Sequence, residues 1–232
     1  MNWTYEKTLK QSASFIMEKD ARLLESVETP TLHFYEWQND AATYGCFTNP
    51  QNFLNLDNVK KQQLDLAKRP TGGGIVFHIT DLAFSVLLPS SHKKFSINTL
   101  ENYAFVNEAV IESIQNLKLT PTLLKEEIIP LDTACNYFCM AKPTIYDVII
   151  EGKKIAGASQ RRTKKGFLHQ GTISIAPLCP SFLQDILLPG TKVFEAMQLN
   201  SSYLLKENST KREIEDLRLT LINEITKTLA RR

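Results

Sequence analysis

The chain has 232 residues, 43% of them apolar and 22% charged, with a net charge of +2. That balance belongs to a globular protein and excludes a disordered chain, a nucleic-acid binder driven by net charge, and a protein drawn to anionic membranes. No apolar run nears the roughly 20 residues that span a bilayer, and no signal-peptide core follows Met1, so a cytoplasmic location is expected.

The first helical pattern covers residues 5–24, where Leu9, Ser12, Ile16, Ala21 and Leu24 give an approximate stripe. Thr31–Trp37 is aromatic and alternating, hence a strand. Residues 57–68, rich in Lys and Gln, read as a short helix. Ile75–Phe77 and Leu82–Leu88 read as strands flanking a short connection, the second ended by Pro89. The clearest helix is 99–117, with Tyr103, Val106, Val110, Ile114 and Leu117 on one face and Asn98 as its cap. Residues 144–150 and 153–158 form a hairpin turning at Glu151-Gly152, and 167–175 a further strand. A capping box, Thr210-Lys211-Arg212-Glu213, opens a C-terminal helix that buries Ile214, Leu217, Leu221 and Ile225. Strands come in clusters rather than alternating with helices. The expected class is therefore α+β, with helices packed on mixed or antiparallel sheets, and one domain over 1–232.

Two glycine-rich segments carry the chemistry. In the first, Arg69-Pro70-Thr71-Gly72-Gly73-Gly74, three bare glycines let backbone approach a ligand, and Arg69 stands where it could grip an anion. The strand that follows, Ile75-Val76-Phe77-His78, could aim N–H groups into a pocket. The spacing matches neither a dinucleotide fingerprint nor a P-loop. In the second, Gly152-Lys153-Lys154-Ile155-Ala156-Gly157-Ala158-Ser159-Gln160, alternation lets one lysine point inward, and that is Lys154. Gly157 and Ala158 leave room beside it. Arg161, Arg162, Lys164 and Lys165 read as a solvated turn, with a docking face for an acidic carrier as a second use. Of Cys46, Cys135, Cys139 and Cys179, only Cys135 and Cys139 lie close together, and no second pair completes a zinc site, so no metal ligands are assigned.

On Arg69-x-x-Gly72-Gly73-Gly74-Ile75-Val76-Phe77-His78, Gly152–Arg161 and His169-x-Gly171-Thr172, the chain resembles the lipoate–protein ligase A family. That family sits within the biotin/lipoate ligase and octanoyltransferase superfamily. The resemblance covers about residues 5–180 and implies an α+β catalytic domain that attaches lipoate or octanoate to a lysine of lipoyl domains. Those domains belong to 2-oxoacid dehydrogenases and the glycine-cleavage H protein. In ligase members ATP and Mg2+ first make the acyl-adenylate. By the resemblance Arg69, Gly72, Gly73, Gly74, Ile75, Val76 and Phe77 hold the nucleotide or acyl phosphate. Lys154 touches both the acyl carbonyl and the phosphate, and His78, Gly157, Ala158, His169 and Gly171 border the substrate. No nucleic-acid or membrane partner is implied.

The chain departs from the pattern in two ways. Ile79 stands where many members have Asp, with Asp81 two residues on. Residues 181–232 are expected to supply only a connection and a helix, so adenylation would call on a separate accessory protein or would not occur.

A lipoate–protein ligase is the leading expectation. The alternative is a cysteine-dependent octanoyltransferase fed by acyl-carrier protein, since Cys139, Pro143 and Tyr146-Asp147 resemble a segment of that branch. The third glycine favours the ligase. A non-catalytic lipoyl-domain binder is the reading from outside catalysis.

Overall fold

The computed structural model describes residues 3–232. It is an α+β arrangement of two sheets and six α-helices, as the clustering of strands predicts. In chain order the elements begin with β1 (Thr4–Gln11), α1 (Ala13–Glu25), β2 (Thr31–Trp37), β3 (Ala41–Tyr44), α2 (Leu56–Lys61), β4 (Asp65–Lys68), β5 (Ile75–His78) and β6 (Asp81–Pro89). They continue with α3 (Thr99–Gln115), β7 (Thr122–Leu123), β8 (Val148–Ile150), β9 (Lys153–Arg162) and β10 (Gly166–Ser174), then α4 (Pro180–Ile186), α5 (Val193–Asn200) and α6 (Lys211–Ala230).

The larger sheet has seven strands in the order β1-β2-β6-β10-β9-β8-β7, and the smaller has three, β4-β3-β5. Only β1–β2 and β3–β4 run parallel. β6 and β10 are buried along their full length because both faces of the large sheet are covered. Helices α3 and α6 lie on one face, where Phe84, Val106, Ile114, Ile155, Phe167, Leu221 and Ile225 close a core. A second core, with Ile75, Phe138, Leu183 and Met197, binds the small sheet to α4 and α5.

Four sequence expectations are corrected. Residues 5–24 are not one helix: Thr4–Gln11 is an edge strand paired parallel to β2, and the helix starts only after Ser12, whose hydroxyl caps Phe15 N. The residues before Ser12 alternate weakly between buried and exposed, and pairing with β2 overrides their helix propensity. Residues 57–68 divide into α2 and β4, because Gln63 turns left-handed (φ 54°) and ends the helix. Residues 181–232 supply α4 and α5 as well as α6. The strand expected over 144–150 shortens to Val148–Ile150, because 144–147 form a turn with Tyr146 at φ 71°, and β5 and β6 fall in different sheets. The hairpin turn at Glu151-Gly152 takes positive φ at both residues (51° and 77°), the geometry that matches strand twist.

Candidate active site

β9 and β10 reach the small sheet at the glycine loop, and a narrow cavity of about 30 Å³ lies between them. Met17, Tyr35, Val76, Gly157, Ala158 and Gly171 form much of its wall, and Arg69, His78, Cys139, Lys154, Ser159 and Gln170 bring polar groups to it. Convergent polar groups beside apolar wall suit a small ligand with one reactive end and one aliphatic end.

Lys154 points inward and Lys153 lies exposed, as alternation requires. Its ammonium forms an ion pair with Asp147 Oδ2 at 2.7 Å, with both side chains only 4% exposed. It also donates to the carbonyl oxygen of Cys139 at 2.8 Å. An ammonium has three N–H donors, so one remains for a ligand. Gly157 is glycine because a Cβ there would lie 2.5 Å from Lys154 Nζ and 2.6 Å from Asp147 Oδ1. The bare backbone expected to make room for substrate therefore makes room for the ion pair. Asp147 escaped the sequence reading as a partner, although it lies just before β8, which pairs with β9 beside Lys154.

Arg69 does something other than reach for an anion. Its guanidinium is buried and turned onto backbone: Nε and Nη2 donate to Gly72 O at 3.2 and 2.9 Å, and Nη2 to Gly74 O at 2.7 Å. Nη1 donates to Thr43 O and Oγ1, both at 3.1 Å. Every donor of the fork is used, and the expectation of a free anion grip is corrected accordingly: a loop of carbonyls facing inward needs a buried cation. Gly73 takes φ +82°, and a Cβ would stand 2.9 Å from Arg69 Nη2. Ser159 Oγ donates to Gly72 O at 2.8 Å, so β9 and the loop are joined directly.

Cys139 is partly exposed and lines the cavity. Its sulfur lies 4.0 Å from Arg69 Nη2, and its backbone N–H donates to Ile75 O at 3.2 Å. The C-terminal end of α5 fixes this segment: Asn200 Nδ2 donates to Ala141 O at 2.7 Å and Ser202 N–H to Lys154 O at 2.7 Å. Cys135 is fully buried, and Cys46 and Cys179 lie elsewhere than the cavity wall.

The two candidate histidines part company. His78 borders the cavity, held between Thr43 Oγ1 (2.9 Å) and Asp81 Oδ2 (2.7 Å) and stacked on Trp37 at 4.7 Å. It bonds side chains rather than the loop backbone. Asp81, two residues displaced in sequence, thus still meets His78. Burial pushes its carboxyl up, but His78, Thr172 and Arg218 together hold it below the ordinary range. His169 is corrected as a site residue: it lies on the far face of β10 between Phe84 and Tyr103, while its neighbour Gln170 faces the cavity. Burial drives its pKa down to about 3.

Among the remaining candidates, Val76, Ala158 and Gly171 line the cavity, while Ile75 and Phe77 turn to the core of the small sheet. Gln170 links two parts of the fold. It accepts from Thr71 Oγ1 at 2.7 Å and donates to Asp20 Oδ2 at 2.7 Å, and Asp20 is itself bonded by Ser85 and His33. Among the described residues no group of three or more His, Cys, Asp or Glu is arranged to hold a metal ion. No helix among them is long and apolar enough to cross a membrane.

Residues 12–201 match the model of the lipoyl protein ligase A/B catalytic domain. The chain is 32% identical over 179 residues to octanoyltransferase LipM of Lysinibacillus sphaericus, covering 74% of this chain and 65% of that one. It is 31% identical over 208 residues to octanoyltransferase LipM of Bacillus subtilis, covering 85% and 74%. The chain thus spans about two thirds to three quarters of the length of these relatives. The fold superposes on Ta0514 of Thermoplasma acidophilum, described as a lipoate protein ligase with bound lipoic acid, with a TM-score of 0.69 at 23% identity over 99% of this chain and 86% of that one.

Proposed function

The chain belongs to the lipoyl protein ligase A/B catalytic-domain family, and on that footing we propose that it is a cysteine-dependent octanoyltransferase acting on lipoyl domains. The observation that carries the reading is the convergence of Cys139 Sγ, Lys154 Nζ and Arg69 on one cavity with apolar walls. The likeness to octanoyltransferases at about one third identity supports it further.

The chemistry follows from the geometry. A Cys139 thiolate beside the fixed guanidinium of Arg69 attacks the carbonyl of an octanoyl thioester on acyl-carrier protein. The carrier's thiolate leaves and takes up a proton, and the acyl group is held on Sγ. The neutral amine of the lipoyl-domain lysine then attacks that thioester, the C–S bond breaks and Cys139 leaves as thiolate, the nitrogen gives up one proton to solvent, and an amide forms. At each addition the carbonyl oxygen gains negative charge, which the remaining N–H of Lys154 is free to meet. Asp147 and the Cys139 carbonyl hold that ammonium still, so little reorganisation accompanies the reaction. In this reading the octanoyl tail lies against Met17, Tyr35 and Val76, and the narrow cavity widens to admit it.

The ATP-dependent ligase has less support. Arg69 spends its fork on loop carbonyls and offers no open face to a nucleotide phosphate, and Lys154 alone has a donor left. Under that reading ATP and Mg2+ would serve lipoyl-adenylate formation at the same cavity. The test is incubation with octanoyl-acyl-carrier protein and a lipoyl domain, with intact-mass measurement of both proteins. Transfer without ATP, with a transient octanoyl adduct on this chain, is the expected result. Modification only from free acid and ATP overturns the transferase.

A further inference from the structure

A second, open groove adjoins the catalytic cavity. It has about 1050 Å³ of open space and shares Met17 and Arg69 with the cavity wall. Its floor is Met17, Ala21, Pro70 and Gly72, with no fixed charge apart from the buried, fully bonded Arg69. Its rim carries Lys68, Arg161 and the side chain of Phe47, which is 94% exposed. Phe47 adds apolar area to the edge of the groove, beside its apolar floor.

The strand register explains why the rim is basic where it is. Side chains on one face of β9 recur every second residue, so Gly157 and Ser159 face the cavity and Arg161 comes next along the same face, where the sheet runs out to solvent. The turn beyond adds Lys164 and Lys165, both exposed, while Arg162 ends β9 on the opposite face and donates to Ile97 O. Among the described residues no carboxylate lies within 4.0 Å of Lys68, Arg161, Lys164 or Lys165. Glu18, the acid in the groove lining, faces Arg22 at 3.8 Å. In a chain of net charge +2, Lys68 and Arg161 on the rim, with Lys164 and Lys165 in the turn that follows β9, form a local positive field.

We propose that this groove is where the acyl-donor protein docks: an acidic carrier whose acyl group rides on a long arm joined through a phosphodiester. The proposal rests on the transferase reading and assigns the donor its surface. A long thin arm needs a channel, and the groove leads to Arg69 and so to the Cys139 side of the cavity. The uncharged floor suits the arm's amide-linked chain, Lys68 and Arg161 suit its phosphodiester, and Lys164 and Lys165 suit the carrier's acidic face. An acceptor lysine is a short side chain and has no use for such a channel.

The experiment measures binding, separately from turnover. Fluorescence anisotropy of labelled octanoyl-acyl-carrier protein is read against wild type, the Lys68→Glu/Arg161→Glu variant and the Lys164→Glu/Lys165→Glu variant. A lipoyl domain is titrated in parallel, and thermal melts confirm that the variants fold. We expect carrier affinity to fall about tenfold or more in the first variant and by a smaller factor in the second, with lipoyl-domain affinity within about threefold of wild type. Raising salt from about 50 to about 300 mM should weaken wild-type carrier binding far more than that of the first variant. Unchanged carrier affinity, or a loss of lipoyl-domain affinity as large as the carrier's, overturns the assignment. Carrier binding with this charge dependence but no octanoyl transfer sinks the transferase reading and leaves the docking surface standing.

Discussion

Lys154 is bonded to the backbone of Cys139 and not to its thiol: Nζ donates to the carbonyl oxygen at 2.8 Å, while the thiol faces Arg69 Nη2 at 4.0 Å. Two cations thus serve one residue from two sides, the lysine fixing where the chain runs and the arginine addressing the sulfur.

Replacement of Cys139 by serine keeps that backbone bond and removes only the sulfur. Octanoyl transfer should fall by at least about a hundredfold, since the nucleophilic route is lost. The variant should also show no acyl adduct by intact mass while melting within a few degrees of wild type. Full transfer by the serine variant would remove Cys139 from the mechanism.

Gly157→Ala tests the ion pair from below. The added methyl meets Lys154 Cε at 2.4 Å and Nζ at 2.5 Å, closer than atoms can stand, so the ammonium must move. Overpacking of this kind costs about 1–3 kcal/mol. Activity should fall further than stability explains, with kcat lowered more than KM raised, as a displaced oxyanion donor predicts. A variant with wild-type kcat would show that Lys154 need not sit where it does.

For Arg69→Lys the expectation is collapse of the glycine loop. One ammonium cannot meet Gly72 O, Gly74 O, Thr43 O and Thr43 Oγ1 together, and buried carbonyls left unpaired cost about 1–3 kcal/mol each. Urea titration should report a loss of several kcal/mol, and amide exchange at Gly72–Gly74 should quicken. Unaltered stability would mean that the loop holds itself.

His169 makes stability depend on pH. Its folded pKa of about 3 lies below the usual value of about 6.5, so the unfolded chain takes up a proton between the two that the folded chain does not. Stability from this group is complete above pH ~6.5 and is lost as pH falls toward ~3, at up to about 1.4 kcal/mol per pH unit. Denaturant midpoints from pH 7 to pH 4 should show this slope in wild type and a shallower one in His169→Phe. Parallel slopes would rule out His169 as the source.

Much of the fold was legible because burial leaves a period. The stripe of α3, the capping box of α6 and the Glu151-Gly152 turn each stand where the pattern put them. The misreadings share a cause: β1 and β4 are short strands whose pairing partners lie elsewhere in the chain, and a local window sees only their propensity. At the site, Lys154 pointed inward as alternation required. Its partner Asp147 and the loop-binding posture of Arg69 were hidden, because both depend on which segments fold against each other. His169 was misplaced for a simpler reason, since a motif names residues without saying which side of a strand they face.

β9 bears three duties at two-residue intervals: Gly157 beneath the ion pair, Ser159 on the glycine loop, and Arg161 at the groove rim. They are tied to one another by parity. The register against β8 shifts by one residue between Lys154 and Ala156, so Lys154 and Gly157 share a face; inserting a residue between Gly157 and Ser159 would swing Ser159 and Arg161 toward α3, whereas insertions in the 163–165 turn would disturb none of them. Lineages of this protein should therefore vary in the tip of that hairpin and keep the length of the strand itself invariant.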